Sequence, residues 1–69
     1  MSRIYKIYNK KYKIYYDTKG EMHDLAGHAY SDKGKIFSSL KNARISITLN
    51  KLKDCIIYEY PLTVKYEVE

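Results

Sequence analysis

His23, Asp24, His28, Asp32 and Cys55 are the side chains of this chain whose types catalysis and metal binding most often use. A structural zinc site asks for a closed tetrahedral set of such groups. The one close pair, His23 and His28, is five residues apart in a stretch with no Cys-x-x-Cys or His-Glu-x-x-His spacing. Two ordinary loop histidines and no metal are expected. Cys55 opens an apolar run, where a free thiol usually packs as a small hydrophobe. Nucleophilic catalysis would also need a histidine oriented by a carboxylate, and no motif announces one. His23 or His28 could act as the general base of a small basic ribonuclease toxin, yet neither stands beside a second catalytic signature. Gly27-His28-Ala29-Tyr30-Ser31-Asp32-Lys33-Gly34-Lys35 has the residue types of a phosphate loop but not the Gly-x-x-x-x-Gly-Lys-Ser/Thr spacing, so it reads as a glycine-bounded surface loop. These residues predict a chain that is not an enzyme and holds no cofactor.

The basic and aromatic residues carry a stronger signal. Thirteen basic against eight acidic residues leave a net charge of +5. The excess is segmental: residues 1–16 carry +5, 17–34 carry −2, 35–53 carry +5 and 54–69 carry −3. Such a balance suits a nucleic acid or an acidic patch on a protein, and weighs against imitation of DNA. The alternative is that lysine merely solubilises the surface. Nine tyrosines and no tryptophan accompany this charge. Tyrosine favours strands and packs its ring while its hydroxyl reaches water, so most of the nine are expected as half-buried sheet packing. Any left exposed beside Lys or Arg would suit a protein interface or stacking on bases. The candidate contact residues are Tyr15 and Tyr30 as aromatic anchors, with Lys35, Lys41 and Arg44 as the basic rim.

The 69 residues allow a single small domain, 1–69, with a marginal core that a second copy or another partner would complete. Uncharged runs such as 45–50 fall far short of the roughly 20 apolar residues that cross a bilayer, and no secretory signal is expected. The single cysteine fits a reducing compartment. Arg3–Tyr8 and Lys11–Tyr16 read as two strands joined at Asn9-Lys10. Tyr12, Ile14 and Tyr16 share one face of the second, and Lys11, Lys13 and Tyr15 the other. Residues 20–34 read as a long loop with a short strand near His28–Tyr30, and Lys35–Phe37 as another short strand.

The stretch 38–52 is ambiguous. A serine cap followed by Leu40, Ala43 and Ile47 has helical spacing, while Ile45, Ile47 and Leu49 alternate as in a strand. A helix over about residues 39–50 is preferred, because a small sheet needs something to cover its apolar face. Farther on, Ile56, Tyr58 and Tyr60 alternate, as do Leu62, Val64, Tyr66 and Val68, with Pro61 marking an edge, a bend or a strand boundary. The expected fold is α+β: a mostly antiparallel sheet of roughly four to five strands packed by one helix.

Lys33-Gly34-Lys35-Ile36-Phe37-Ser38-Ser39-Leu40-Lys41-Asn42-Ala43-Arg44 resembles a type of small phage-encoded accessory protein. In that type an N-terminal strand pair and a glycine-bearing loop lead into Gly-Lys-hydrophobic-aromatic, a capped helix and a strand like Ile56–Tyr60. The resemblance implies a helix over Ser38–Leu49, expression in the cytoplasm of a bacterial host, and action by binding and inhibiting a host protein, as anti-CRISPR and other anti-defence inhibitors do. The leading expectation is thus an inhibitor that occludes a site on a host protein. A nucleic-acid-binding module is the alternative, and a ribonuclease toxin the third reading.

Overall fold

A computed structural model describes residues 3–61 and 64–67. Along the chain run β1 (Ile4–Asn9), β2 (Ile14–Tyr16), β3 (Met22–His23), β4 (Ala29–Ser31), α1 (Leu40–Asn50), β5 (Cys55–Tyr60) and β6 (Val64–Glu67). The strands form one sheet in the order β3-β4-β2-β1-β5-β6, with every neighbouring pair antiparallel. The α+β expectation of a sheet packed by a single helix describes this architecture, but the sheet has six strands. One of them, β4, is the short strand expected near His28–Tyr30, whereas β3 lies in the part read as a long loop. Lys35–Phe37 forms only an isolated bridge, Phe37 opposite Tyr5. Leu62, Thr63 and Val68 of the last predicted strands lie outside the described residues.

The first hairpin differs from the expected two-residue turn because Asn9 is buried, 2% exposed, and uses its side chain locally. Its Oδ1 accepts the N–H groups of Lys11 and Tyr12, both at 2.9 Å, and its carbonyl accepts from Lys13 at 2.8 Å. The link therefore runs over 10–13 and closes through Lys13 in the left-handed region at φ 58°. Lys11 and Lys13 belong to this turn and do not share a strand face with Tyr15.

Ser39 caps α1 by accepting from the Asn42 N–H at 3.1 Å. Lys51, at φ 53°, ends the helix, and the Leu52 N–H returns to the Ile47 carbonyl at 3.0 Å. Ala43 and Ile47, one turn apart, are buried toward β1 and β5, with Leu40 and Leu52 beside them. Ile45 and Leu49 stay exposed, so the strand-like alternation of 45, 47 and 49 has no single buried face behind it. Helical spacing describes what is buried; alternation does not.

The pairing of β1 with β5 runs from Ile4 opposite Tyr60 to Asn9 opposite Cys55. It divides the side chains into two sets. Tyr5, Ile7, Asn9, Cys55, Ile57 and Glu59 face α1, joined by Ile14 and Tyr16 of β2, Tyr30 of β4 and Tyr66 of β6. Lys6, Tyr8, Tyr15, Ile56, Tyr58, Tyr60 and Lys65 face the other way, where no helix lies among the described residues. Glu59 is 3% exposed on the helix side, and is satisfied by the Tyr66 hydroxyl at 2.9 Å and Arg3 at 3.4 Å. Among the described residues no helix is long and apolar enough to cross a membrane.

This division predicts unequal mutational costs. Ile57 is fully buried, so Ile57→Ala should cost about 2–5 kcal/mol, a large share of what so small a domain has. Leu49, 75% exposed, should tolerate Ala within about 0.5 kcal/mol. Gly20→Ala should also destabilise strongly, since its Cβ would lie 2.0 Å from the Tyr30 carbonyl oxygen. Urea unfolding of the three variants checks the order.

Candidate functional site

The five residues nominated from sequence do not form one patch. Lys41 and Arg44 come together on the outer side of α1. Lys35 lies apart from them, its Nζ 5.6 Å from the centroid of the Phe37 ring. Tyr15 faces away from the helix, on the uncovered side of the sheet. Tyr30 is a correction: at 2% exposure it is part of the core and cannot be a surface anchor. Its register opposite Tyr16 turns it toward α1, which a reading of residues 20–34 as loop could not show.

On α1, Leu40, Lys41, Arg44, Ile45, Thr48 and Leu49 line a shallow groove of about 470 Å³. Ile45 is 43% exposed and Leu49 75%, and the helix carries no acidic residue. An apolar pair with two cations beside it can bury hydrocarbon and meet carboxylates at the same time. Ile45 and Leu49 were not nominated from sequence. Their signal was present as the apparent strand alternation, which is what a helix with apolar residues on both sides produces.

The second surface is the uncovered face of the sheet. Tyr8, Tyr15, Tyr58 and Tyr60 come from the adjacent strands β2, β1 and β5. Tyr8 packs edge to face on Tyr15 at 5.2 Å between centroids and on Tyr58 at 5.5 Å, and Tyr58 lies 6.2 Å from Tyr60. The Tyr15 and Tyr60 hydroxyls are hydrogen-bonded to each other across β1. Burial, then this bond, pushes the Tyr60 phenol up to about 12. Lys6 holds its Nζ 5.3 Å from the Tyr15 ring and 5.8 Å from the Tyr60 ring, and Lys65 lies 5.8 Å from Tyr58. Sequence reasoning found only Tyr15 of this group, because nothing local tells β2 that β5 lies two strands away.

The histidines and the cysteine are placed differently from a catalytic set. Asp24 Oδ2 accepts from the Tyr30 hydroxyl at 2.9 Å and lies 3.1 Å from His28 Nδ1. His28 Nε2 lies 2.6 Å from the Asn50 carbonyl at the end of α1, and Asn9 Nδ2 donates to the Tyr30 hydroxyl at 3.3 Å. Each ring nitrogen of His28 thus lies within hydrogen-bond distance of an acceptor oxygen of the protein itself. His23 is exposed, with Nδ1 3.2 Å from the Glu21 carbonyl oxygen. Burial, followed by the nearby Asp54 charge, pushes the Cys55 thiol up to about 11, against thiolate chemistry. The network ties the 24–28 loop to the helix end, and reads as structural.

Comparison with protein-family models, with curated proteins and with solved structures finds no match for this chain.

The Asp24 carboxyl titrates with folding. Burial works to raise it, but hydrogen bonds from the His28 backbone N–H, the Tyr30 hydroxyl and the His28 ring bring it down to about 2. A lowered folded value means stabilisation that is complete above about pH 4 and lost as pH falls toward about 2. The stability difference between wild type and Asp24→Asn should therefore be largest at neutral pH and shrink as pH falls through about 2. Urea midpoints across that range check it; a constant difference would assign Asp24 no titrating role.

Proposed function

We propose that this chain acts by stoichiometric binding: the outer side of α1 docks on a partner protein that offers an apolar groove rimmed with carboxylates, and covers a site the partner needs. The observation that carries this reading is the exposure of Ile45 and Leu49, one turn apart and opposite the buried Ala43 and Ile47, beside Lys41 and Arg44. Fully burying an aliphatic side chain of this size is worth about 1.5–3 kcal/mol, and a Leu held 75% exposed retains most of that for a partner. Lys41 and Arg44 supply charge complementarity, with arginine able to pair a carboxylate through two donors. Nothing in this mode requires catalysis or a cofactor.

The resemblance of residues 33–44 to phage accessory proteins supports a bacterial host protein as the partner, a defence component in particular, met in the host cytoplasm. Inhibition would follow from occlusion alone.

The test is capture of the partner from nuclease-treated host lysate, followed by titration with the purified components. Wild type should form a one-to-one complex and reduce the partner's activity in proportion to occupancy. Leu49→Asp and Arg44→Glu should each weaken the complex about tenfold or more, with unchanged circular dichroism, since each removes on the order of 1.4 kcal/mol of contact. A partner whose affinity ignores both substitutions would overturn the assignment of this face.

A further inference from the structure

We infer that the uncovered face of the sheet, centred on Tyr8, Tyr15, Tyr58 and Tyr60 with Lys6 and Lys65, binds single-stranded nucleic acid. This face is separate from the groove proposed above, because α1 packs against the opposite side of β1 and β5.

Three observations converge on that ligand. The first is the row of rings. Neighbouring strands stand about 4.8 Å apart, so tyrosines on β2, β1 and β5 form a continuous aromatic strip rather than scattered contacts. In an edge-to-face pair, the ring that contributes its edge keeps its own faces clear of that partner, and an unpaired base stacks on the face of such a ring that no lysine covers. Joined Tyr15 and Tyr60 hydroxyls hold the strip in place before any ligand arrives, which lowers the ordering cost of binding.

The second is charge. The ammonium groups of Lys6 and Lys65 sit among the rings through cation–π contacts, and neither has an ion-pair partner among the described residues. Each is available to a phosphate placed beside a stacked base, and the +5 balance of the chain draws a polyanion in. The third is what this face lacks at its surface. Ile56 points this way yet is only 4% exposed, so the side chains around it already shield it. Around it stand the half-buried Tyr8, Tyr15, Tyr58, Tyr60 and Lys6 and the exposed Lys65, whereas the exposed aliphatic pair Ile45 and Leu49 belongs to α1. Paired bases already stack on their neighbours inside a duplex, so only an unpaired strand offers bases to this strip.

Fluorescence anisotropy of the intact protein with labelled oligothymidine and oligouridine of about 12 nucleotides tests the inference, with a DNA duplex of the same length as control. Micromolar or tighter binding to single strands is expected, at least tenfold weaker for the duplex, and falling as salt rises from about 50 to 200 mM. A preference between the two oligonucleotides identifies RNA or DNA as the ligand. Tyr58→Leu keeps an apolar side chain without the π face and should weaken binding at least fivefold. Lys6→Gln and Lys65→Gln should each lower the slope of log K against log salt by about 0.7. Circular dichroism confirms that each variant is folded. The inference is overturned if folded protein leaves the single strands free at about 100 µM, if duplex binds equally well, or if Tyr58→Leu binds like wild type. It is likewise overturned if Lys41→Gln and Arg44→Gln on α1 reduce binding as much as the sheet lysines do, since generic charge would then explain it.

Discussion

Ile7 opposite Ile57, both with no exposed surface, is the contact on which the rest of the structure depends. It lies in a six-pair antiparallel ladder joining residues about fifty positions apart, and Ala43 and Ile47 cover it from the helix. The helix has 11 residues and is about 16 Å long, while six strands span roughly 24 Å. One helix therefore roofs the centre of one side of the sheet and leaves the other side without a cover. Among the described residues there is no second helix to cover it. Tyrosine is the side chain that meets this constraint, because its ring shields a neighbour such as Ile56 while its hydroxyl stays compatible with water. Four of the nine tyrosines, Tyr8, Tyr15, Tyr58 and Tyr60, stand on this uncovered side.

The buried polar residues stand at the two ends of the same ladder. Asn9, opposite Cys55, organises the first turn and reaches Tyr30; Glu59, opposite Tyr5, takes Tyr66 and Arg3. Among the described residues no buried side-chain nitrogen or oxygen lacks a partner. A slip of one residue would turn Asn9 and Glu59 to the uncovered side and separate them from these partners. Burial of carboxylate and amide is costly unless every bond is made, so the two ends hold the register as well as the stability. Glu59 in turn raises the phenols that surround it: Tyr66 chiefly through its hydrogen bond, and Tyr5 chiefly through burial with Glu59 next.

The two faces offer different chemistry to partners. The outer side of α1 presents aliphatic carbon with cations beside it, which fits a hydrophobic groove on another protein. The uncovered face of the sheet presents aromatic rings with cations among them, which fits unpaired bases and their phosphates. Both surfaces are consequences of how little a small α+β layer pair can bury. Side chains in excess of what the core absorbs remain outside, and their type sets the chemistry each face offers.

What the residues alone determined was local. A serine cap with Leu40, Ala43 and Ile47 made a helix one of two readings of 38–52, and Pro61 marked an edge, a bend or a strand boundary, because caps, turns and periodicity act within a few residues. Lys41 and Arg44 stood out with Lys35 as basic residues around the helix start, and the helix sets the first two one turn apart. Tertiary structure decided the remainder. It drew β3 out of an apparent loop, buried Tyr30, and set Tyr15 beside Tyr8, Tyr58 and Tyr60. Which strand lies next to which is settled by contacts between distant segments, and no short stretch of sequence contains that choice. The tyrosines were countable from the start; their assembly into one surface exists only once β1 has paired with β5.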